Sequence, residues 1–259
     1  MIHKVIVASD IHWGAGHQKA TDIFTEFVLE HKPTLLVLAG DLVDLQPLSK
    51  YDPEPDSRTR VIDEIKEAVD VITKFTQADI PTYIISGNHE DRWQKAIIGS
   101  KAAALAGAHG LSLREQFHAL GMDQRVRWVD EGVGCPGLFI GKQALLIRHG
   151  HVQAGRFSSA KNVPDRLLNQ TPTISTLVGH HHKAGTQYRT ILGKTIVGIA
   201  NPFLGADQAY NPSASWQRGW TVLDFYGASR LRDCTRFSVH QVVLDDDCGF
   251  VYEGKEYKP

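Results

Sequence analysis

Five short segments of the chain carry side chains of the kinds that bind metal ions or transfer protons. Each segment directly follows an apolar run whose length and composition predict a buried strand. In chain order, the segments contain Asp10 and His12; Asp41 and Asp44; Asn88, His89 and Glu90; His149 and His151; and His180, His181 and His182. One such segment occurs by chance in many chains, but five in order predict a single site at the ends of several strands.

The segment after Thr82–Ile85 shows that one motif alone allows two interpretations. Gly87 permits a tight turn after this predicted strand, and Asn88, His89 and Glu90 come next. Taken alone, these residues fit an ordinary strand-to-helix turn, with the asparagine as a helix cap and the other two in solvent. The four similar segments elsewhere in the chain favour a functional site instead.

The residue types point to metal chemistry. Carboxylates, imidazoles and carboxamide oxygens are ligands for hard and borderline divalent ions. Asp10 and His12 are two residues apart, so an extended backbone would point both side chains the same way. One zinc-like ion needs three or four ligands, and the segments offer at least seven candidates, which predicts two ions. Two ions about 3.5–4 Å apart can activate a water molecule and hold a phosphoryl group for in-line attack.

The composition is that of an ordinary globular protein and excludes several other kinds of site. The chain has 259 residues, of which 42% are hydrophobic and 22% charged, and we expect residues 1–259 to form a single domain. Its three cysteines show no Cys-x-x-Cys spacing, which leaves thirteen histidines and the carboxylates as candidate ligands. The net charge of −1 argues against a broad electrostatic surface for duplex nucleic acid, although not against a local basic patch.

The sequence also predicts where the protein is found. No apolar run approaches the roughly 18 residues that a membrane span needs. The N-terminus runs straight into a strand pattern and lacks the basic, apolar and small-residue regions of a signal peptide. We therefore expect a cytoplasmic protein without membrane contacts.

The first half of the chain predicts a parallel sheet. Apolar runs alternate with segments of helical spacing, and this order favours parallel strands joined by right-handed crossovers. The predicted strands are Val5–Ala8, Leu35–Ala39 and Thr82–Ile85, and the predicted helices are Ala20–Glu30 and Arg60–Gln77. We expect Gln46–Thr59 to be a loop near the site and residues 91–121 to be helical; the sequence leaves open whether these helices cover the site or contact substrate.

The second half is dense in short strands and predicts a second, largely antiparallel sheet. The predicted strands are Val126–Val129, Leu138–Ile140, Ala144–Ile147, Thr173–Val178, Thr186–Ile191, Thr195–Ala200, Trp220–Phe225 and Ser238–Val243. Among them, only Ala160–Asn169 has the pattern of a helix. Two sheets packed face to face with helices outside fit the whole chain, so we predict an α/β (α+β) sandwich.

The five motifs resemble those of the calcineurin-like metallophosphoesterase superfamily, over the stretch from Asp10 to His182. The resemblance implies a two-sheet αββα sandwich with helices on both outer faces, and two divalent ions. Mn²⁺ is the expected ion, with Fe, Zn²⁺, Ni²⁺ and Mg²⁺ as alternatives. The resemblance also implies the ligands of each ion. One ion is bound by Asp10, His12, Asp41 and His182, and the other by Asp41, Asn88, His149 and His180, so that Asp41 bridges them.

We also expect particular roles for four residues beside the predicted ligands. His89 matches the family's catalytic histidine, which binds no metal and protonates the leaving oxygen or stabilises the transition state. Asp44 matches the carboxylate that keeps this histidine oriented and cationic, with a capping role as the alternative. Arg92, one turn beyond His89, either binds a substrate phosphate or lies in solvent. His181 replaces a threonine that is common in the last motif, and we expect it to point away from the metals.

Two more polar residues lie next to predicted ligands in the sequence. We expect Glu90 to support its turn or to open the following helix rather than to bind metal. We expect His151 to support a metal ligand, with lining of the pocket as the alternative. Residues Gly87–Arg92, together with Trp216–Trp220, are similar to compact members of the superfamily that are often found in bacteriophage genomes.

Three functional hypotheses follow. The first is a dinuclear phosphoesterase in which a hydroxide held between the ions attacks a phosphodiester. A phosphomonoesterase acting on protein or nucleotide, or a nuclease, would use the same site, so nucleotides and nucleic acids are candidate substrates. The hypothesis from a different class is a non-catalytic metal-binding scaffold, as in a retromer subunit of this fold that has lost its catalytic histidine. Here His89 and every inferred ligand are present, which favours the enzyme. The oligomeric state is left open.

Overall fold

A computed structural model describes residues 1–49, 60–99, 108–132, 135–152, 162–206 and 215–259. The predicted loop Gln46–Thr59 is described as far as residue 49, and its first residues, Gln46–Leu48, form a short 3₁₀ turn. Residues 50–59 of this loop, and residues 100–107 of the predicted helical region, lie outside the described part. Within the described ranges, no helix combines the length and the apolar character needed to cross a membrane.

The first sheet contains the parallel strands that the sequence predicts. Its six strands are, in spatial order, β11 (Arg236–Val243), β10 (Gly219–Tyr226), β1 (Ile2–Ala8), β2 (Leu35–Ala39), β3 (Thr82–Ile85) and β4 (Arg127–Val129). β1, β2, β3 and β4 run parallel to one another. β10 pairs antiparallel with β1, and β11 antiparallel with β10. The carboxyl ends of β1, β2 and β3 therefore lie side by side.

The second sheet is mixed. Its five strands are, in spatial order, β5 (Leu138–Ile140), β6 (Leu145–Arg148), β7 (Ser175–Val178), β9 (Lys194–Ala200) and β8 (Gly185–Ile191). The prediction of a largely antiparallel sheet is wrong, because β6, β7 and β9 run parallel and only the outer pairs are antiparallel. The connection from β6 to β7 contains a helix, which gives it the length that a parallel crossover needs.

Three strands of the second half belong to the first sheet. β4 extends one edge of that sheet, and β10 and β11 extend the other. β10 is buried along nearly its whole length, because it is covered on both faces as an interior strand. Strand density along the chain therefore does not reveal which sheet a strand joins.

Helices cover both outer faces of the sandwich, as predicted. They are α1 (Gln18–His31), α2 (Val61–Gln77), α3 (Glu90–Ile98), α4 (Leu113–Ala119) and α5 (Val163–Gln170). The first two closely match the predicted helices. The predicted helix Ala160–Asn169 corresponds to α5, which begins at Val163. Residues 160 and 161 lie outside the described part. Residues Ser112 and Glu115 form a capping box that begins α4.

Apolar side chains form three layers. Val7 and Ile147, both fully buried, belong to the layer between the two sheets. On the outer face of the first sheet, Phe24 of α1 packs against Trp220 of β10, with ring centroids 5.3 Å apart. Leu167 of α5 belongs to a smaller cluster on the outer face of the second sheet. The order helix, sheet, sheet, helix confirms the predicted αββα sandwich.

The sequence patterns do not predict a short hairpin that the structure has near the C-terminus. β12 (Phe250–Tyr252) and β13 (Lys255–Tyr257) are joined by Glu253 and Gly254, whose φ angles are 49° and 79°. Two consecutive positive φ angles are typical of a type I′ turn, which suits the twist of a hairpin.

Candidate metal centre

The five predicted segments meet at one end of the sandwich. β1, β2 and β3 of the first sheet end next to one another, and the ends of β6 and β7 of the second sheet approach them. The backbone amide of His180 donates to Asp10 Oδ2 at 3.0 Å. His149 Nε2 lies 3.3 Å from Asp41 Oδ2. The ends of both sheets thus contribute to one site, as open α/β architectures favour.

The predicted ligands are held by unusual backbone conformations. Left-handed φ angles between 51° and 63° occur at Asp10, His12, Asp41, His180 and His182. The expectation that extended backbone aligns Asp10 and His12 is wrong, because β1 ends at Ala8 and both residues are left-handed. Each such residue costs roughly 1–2 kcal/mol. Contacts between loops offset this cost, including the hydrogen bond from the Asp10 amide to the Gly40 carbonyl at 2.9 Å.

The seven predicted ligands form what we call the ligand cluster: Asp10, His12, Asp41, Asn88, His149, His180 and His182. Among the described residues, side-chain atoms within 4.8 Å of one another occur in three groups, which are Asp10, His12 and His182; His12, Asp41 and His89; and Asp41, His149 and His180. Asp41 and His12 each belong to two of these groups. The Asp41 carboxylate therefore lies near ligands from both sheets.

The first group contains buried imidazole nitrogens without hydrogen-bond partners. His182 Nε2 lies 3.2 Å from Asp10 Oδ1. His12 Nε2 and His182 Nδ1 are buried and unpaired. A buried polar atom without a partner costs about 1–3 kcal/mol, and coordination of an ion by His12 Nε2 would remove this cost for that atom. The residues of this group therefore fit a divalent metal ion.

The second group gathers acceptor atoms around His149. Its Nδ1 lies 2.9 Å from the Ala39 carbonyl oxygen, which can only accept, so Nδ1 carries a proton and Nε2 faces the cluster. Around Nε2 lie Asp41 Oδ2, Asn88 Oδ1 and His180 Nδ1, each at 3.2 or 3.3 Å. The two oxygens accept only, so this arrangement requires positive charge at its centre. A carbonyl behind the imidazole is also the usual support of a metal-binding histidine.

The pKa values of the two histidines differ, and only that of His149 reflects this need for positive charge. Burial disfavours a charged His149, but the carboxylates of Asp41 and Asp10 raise its pKa to about 10. The pKa of His180 is lowered to about 3, by burial and by the neighbouring charge of His149. A proton and a metal ion would therefore compete for the same place.

His89, Asp44 and Arg92 lie beside the ligand cluster, and we call them the His89 group. The imidazole of His89 is 4.4 Å from that of His12, measured between ring centroids. His89 Nδ1 lies 2.7 Å from the main-chain oxygen of Asp44 and 3.2 Å from its carboxylate. Arg92 Nη1 donates to the same main-chain oxygen at 2.6 Å, and Arg92 Nη2 lies 2.8 Å from His89 Nε2.

These contacts determine the protonation of His89. The Asp44 carbonyl accepts only, so Nδ1 carries a proton; a guanidinium donates only, so Nε2 is an acceptor. In this arrangement Nε2 faces a donor, so the expected cationic state of His89 requires Arg92 Nη2 to move away. Burial would raise the pKa of Asp44, but the imidazoles of His12 and His89 lower it below its ordinary value.

Two buried carboxylates hold the loop that follows β2. Glu90 begins α3, and its oxygens accept hydrogen bonds from the amides of Asp41 at 2.9 Å, Leu42 at 2.7 Å and Gly87 at 2.7 Å. The contact with Gly87 agrees with the expectation that Glu90 supports its turn. The contacts with Asp41 and Leu42 also attach α3 to the loop after β2. Glu64 of α2 holds the other end of that loop, and no sequence signal singles it out. Apart from Gly87, their partners are far away in the sequence, so no local motif could reveal these contacts.

Gly87 and Gly40 are required by close contacts between strand ends. A Cβ atom at Gly87 would collide with the side chain and amide of Asp41. A Cβ atom at Gly40, where φ is +90°, would collide with the imidazole of His149. A side chain at either position would therefore displace a predicted ligand.

His151 and His181 lie next to the ligand cluster and belong to none of its three groups. His151 Nε2 is 3.3 Å from Asp91 Oδ2, and its ring is 5.4 Å from that of His149. His181 is half-buried beside His180, with the two ring centroids 5.4 Å apart. Both positions suit residues that surround the ligands.

Comparison with known proteins gives a family and several similar structures. No curated protein sequence matches the chain. A Vps29 variant from Entamoeba histolytica is 14% identical, with 98% of this chain and 99% of that chain covered and a TM-score of 0.48. The phosphoesterase YfcE from E. coli is 14% identical, with 91% and 98% covered and a TM-score of 0.42. A dimetal phosphatase from Danio rerio is 9% identical, with 92% and 95% covered and a TM-score of 0.45. Similarities this low carry no argument about activity.

The family model gives the stronger result. The model of the calcineurin-like phosphoesterases matches residues 3–222, which is most of the chain. The matched stretch includes the whole ligand cluster and the His89 group. The chain therefore belongs to the calcineurin-like phosphoesterase family.

Proposed function

We propose that the protein is a phosphoesterase that depends on two divalent metal ions. The observation that carries this proposal is the ligand cluster, in which carboxylate and imidazole atoms from both sheets form groups of three whose members lie within 4.8 Å of one another. The proposed ligands are Asp10, His12, Asp41 and His182 for one ion, and Asp41, Asn88, His149 and His180 for the other. Bound ions supply an activated water molecule and neutralise charge on the phosphoryl group.

The identity of the metal is a separate part of the proposal. Nitrogen and oxygen ligands of this kind bind several first-row ions, and availability decides between them. We expect Mn²⁺, with Fe, Zn²⁺, Ni²⁺ and Mg²⁺ as alternatives. The cytoplasmic location and the single-domain organisation that the sequence predicts stay predictions.

His89 is the proposed proton donor to the leaving oxygen. Its Nε2 is 3.7 Å from Asp41 Oδ2, so it lies beside the ligand cluster. Its Nδ1 proton is held by the Asp44 main-chain oxygen at 2.7 Å, which fixes the ring orientation. The Asp44 carboxylate, 3.2 Å from Nδ1, would stabilise the imidazolium once Nε2 takes up a proton. General acid catalysis of this kind contributes about 10²–10⁴-fold to a rate.

Arg92 is the proposed phosphate-binding residue. Its Nη2 faces His89 Nε2 at 2.8 Å. A phosphate oxygen is a stronger partner for a guanidinium than a neutral imidazole is, because the hydrogen bonds are then charged on both sides. Movement of Nη2 to the phosphate would free Nε2 to take up a proton from solvent and pass it to the leaving oxygen. Substrate binding would then also make His89 Nε2 available for proton transfer.

A phosphodiester is the proposed substrate, and a polar cavity offers a place for its second organic group. The cavity has a volume of about 590 Å³ and is lined by Lys183, which follows His182 in the chain, but by no residue of the ligand cluster. Thr186 and Gln217 also line it. A diester carries a second organic group that a monoester lacks, and amide, hydroxyl and lysine side chains could bind a polar group such as a nucleoside. Nucleotides and nucleic acids are therefore candidate substrates.

The alternatives use the same residues differently. A phosphomonoesterase or a nuclease would share the ligand cluster and differ in what lies beyond the phosphate. A non-catalytic metal-binding scaffold would have no need of the hydrogen bonds that orient His89. The contacts of His89 with Asp44 and Arg92 therefore favour an enzyme over a scaffold.

A substrate panel tests the proposal. Purified protein supplied with Mn²⁺ is assayed on bis-p-nitrophenyl phosphate, p-nitrophenyl phosphate, cyclic nucleotides and single-stranded DNA. We expect hydrolysis of diesters to exceed that of the monoester and to stop when a chelator is added. Faster hydrolysis of the monoester would overturn the diester preference. Failure to hydrolyse any of these compounds would reject the enzyme and favour the scaffold.

A further inference from the structure

Helix α2, in the outer helical layer, contributes a buried carboxylate to the site. Glu64 lies in the first turn of this helix, and only 1% of it is exposed. A Cβ atom at Gly14 would collide with the Glu64 side chain, so the glycine leaves the space through which Glu64 passes. Glu64 Oε2 accepts a hydrogen bond from the Leu45 amide at 2.6 Å. This contact holds one end of the loop after β2, and no step of the proposed function uses it.

The peptide group that Glu64 binds is the one that holds the His89 group. The Leu45 N–H and the Asp44 C=O belong to the same planar peptide unit, so fixing the direction of one fixes the other. The Asp44 carbonyl oxygen accepts from His89 Nδ1 at 2.7 Å and from Arg92 Nη1 at 2.6 Å. When ionised, Glu64 also polarises the carbonyl through the N–H side, which strengthens both bonds.

The loop from residue 41 to residue 45 is thus divided between two carboxylates. Glu90 binds the amides of Asp41 and Leu42, at the end that belongs to the ligand cluster. Glu64 binds Leu45, at the end that belongs to the His89 group. Leu45 has a left-handed backbone with φ of 49°, so this end of the loop needs support.

We propose that Glu64 is a positioning residue that orients the Asp44–Leu45 peptide and, through its carbonyl, His89 and Arg92. The inference rests on the proposed function, since it assigns Glu64 to the catalytic step of the same site. Removal of the Glu64 carboxylate would leave the ligand cluster in place and let the Asp44 carbonyl turn. A purely structural role would instead affect stability alone.

The chain offers variants that separate these roles. Glu64→Ala removes the acceptor, whereas Glu64→Gln keeps an oxygen that can accept from Leu45 more weakly because it is uncharged. Glu67→Gln is the matched control: Glu67 lies one turn further along α2 and accepts from the Gly14 amide at 3.1 Å. It has no hydrogen bond to the Asp44–Leu45 peptide.

Two measurements are combined. The first is NMR of metal-free protein labelled with ¹⁵N-histidine, in which the His89 Nδ1–H signal reports its bond to Asp44. The His149 Nδ1–H signal, bound to the Ala39 carbonyl, is an internal reference. The second is Mn²⁺ stoichiometry together with kcat and KM on bis-p-nitrophenyl phosphate.

We expect Glu64→Ala to bind Mn²⁺ as the wild type does, to shift or lose the His89 signal alone, and to lower kcat about 10- to 100-fold. Glu64→Gln should show smaller changes in the same direction, and Glu67→Gln none. An unchanged His89 signal with unchanged kcat would overturn the proposal. If Glu64→Ala does not fold, an unchanged signal in Glu64→Gln would overturn it equally. If the wild type hydrolyses nothing, the proposed function fails, and the NMR measurement still decides the role of Glu64.

Discussion

The ligand cluster and the His89 group lie side by side, yet they satisfy their polar atoms differently. In the ligand cluster, oxygens that only accept surround His149 Nε2, and His12 Nε2 and His182 Nδ1 have no partner. In the His89 group, each short contact joins a donor to an acceptor. The first arrangement requires a cation, whereas the second is complete with protein atoms alone. The difference predicts that changes in one part leave the other largely intact.

The largest effect should come from Asp41→Asn, because Asp41 is the proposed shared ligand and lies near both His12 and His149. Loss of its negative charge should reduce bound metal to less than one ion per chain and hydrolysis to the background rate. Metal analysis of the purified protein and a diester assay measure both. The exposed Asp70→Asn, on α2, is the control and should behave as the wild type. Retention of two ions and most of the activity would show that Asp41 is not the shared ligand.

His89→Ala should separate the two parts most clearly. We expect kcat to fall about 10²–10⁴-fold, because the proton donor is lost, while the metal content stays that of the wild type. His240→Ala, which removes a histidine whose side chain is 56% exposed, is the control. Loss of metal together with activity would instead place His89 among the ligands, as its closeness to His12 and Asp41 also allows.

Arg92→Lys should have a smaller effect, mainly on KM. A lysine cannot contact the Asp44 carbonyl, His89 and a phosphate with the fixed geometry of a guanidinium. We expect KM for a diester to rise about 10-fold, the equivalent of one charged hydrogen bond of roughly 1.5 kcal/mol. The exposed Arg114→Lys on α4 serves as the matched control. An unchanged KM with normal inhibition by phosphate would remove Arg92 from the substrate site.

The smallest effect concerns the pH dependence of stability. Burial raises the pKa of Glu64 to about 7, against the hydrogen bonds that lower it. The folded state then binds this proton more tightly than the unfolded chain, so stability is lost as pH rises from the ordinary carboxyl pKa toward the raised value. Glu64→Gln carries no such proton.

The free energies of unfolding of wild type and Glu64→Gln, from chemical denaturation at pH 5 and pH 8, test this sign. Their difference should move in favour of Glu64→Gln at the higher pH, by on the order of 1 kcal/mol. The same comparison with Asp70→Asn should show no such trend. A shift in the opposite direction would mean that Glu64 is held as a stable carboxylate.

The sequence predicts the ligand types and their places at strand ends because both are local properties. Apolar runs locate β1, β2, β3, β6 and β7, and the polar residues that follow them are read directly. The αββα sandwich follows from the same pattern. The pairing of β6, β7 and β9 does not, because parallel pairing depends on the path of the connections in space.

The parts of the site that the sequence does not reveal depend on contacts over long separations. Glu64 and Glu90 bind amides of the loop after β2, and nothing in their own neighbourhood signals this. The left-handed conformation of Asp10 and His12 is imposed by the loop beside them, through bonds such as that from the His12 amide to the Asp41 carbonyl at 3.1 Å. The contact of Arg92 with His89 likewise depends on where the Asp44 carbonyl lies.

Titration of metal-free protein with Mn²⁺ tests the central claim most directly. Bound metal and the rate of bis-p-nitrophenyl phosphate hydrolysis are measured in the same samples, followed by addition of a chelator. We predict that activity appears as a second ion binds, reaches a plateau at two ions per chain, and disappears with the chelator. Two bound ions without hydrolysis, or hydrolysis that persists after the metal is removed, would contradict the account.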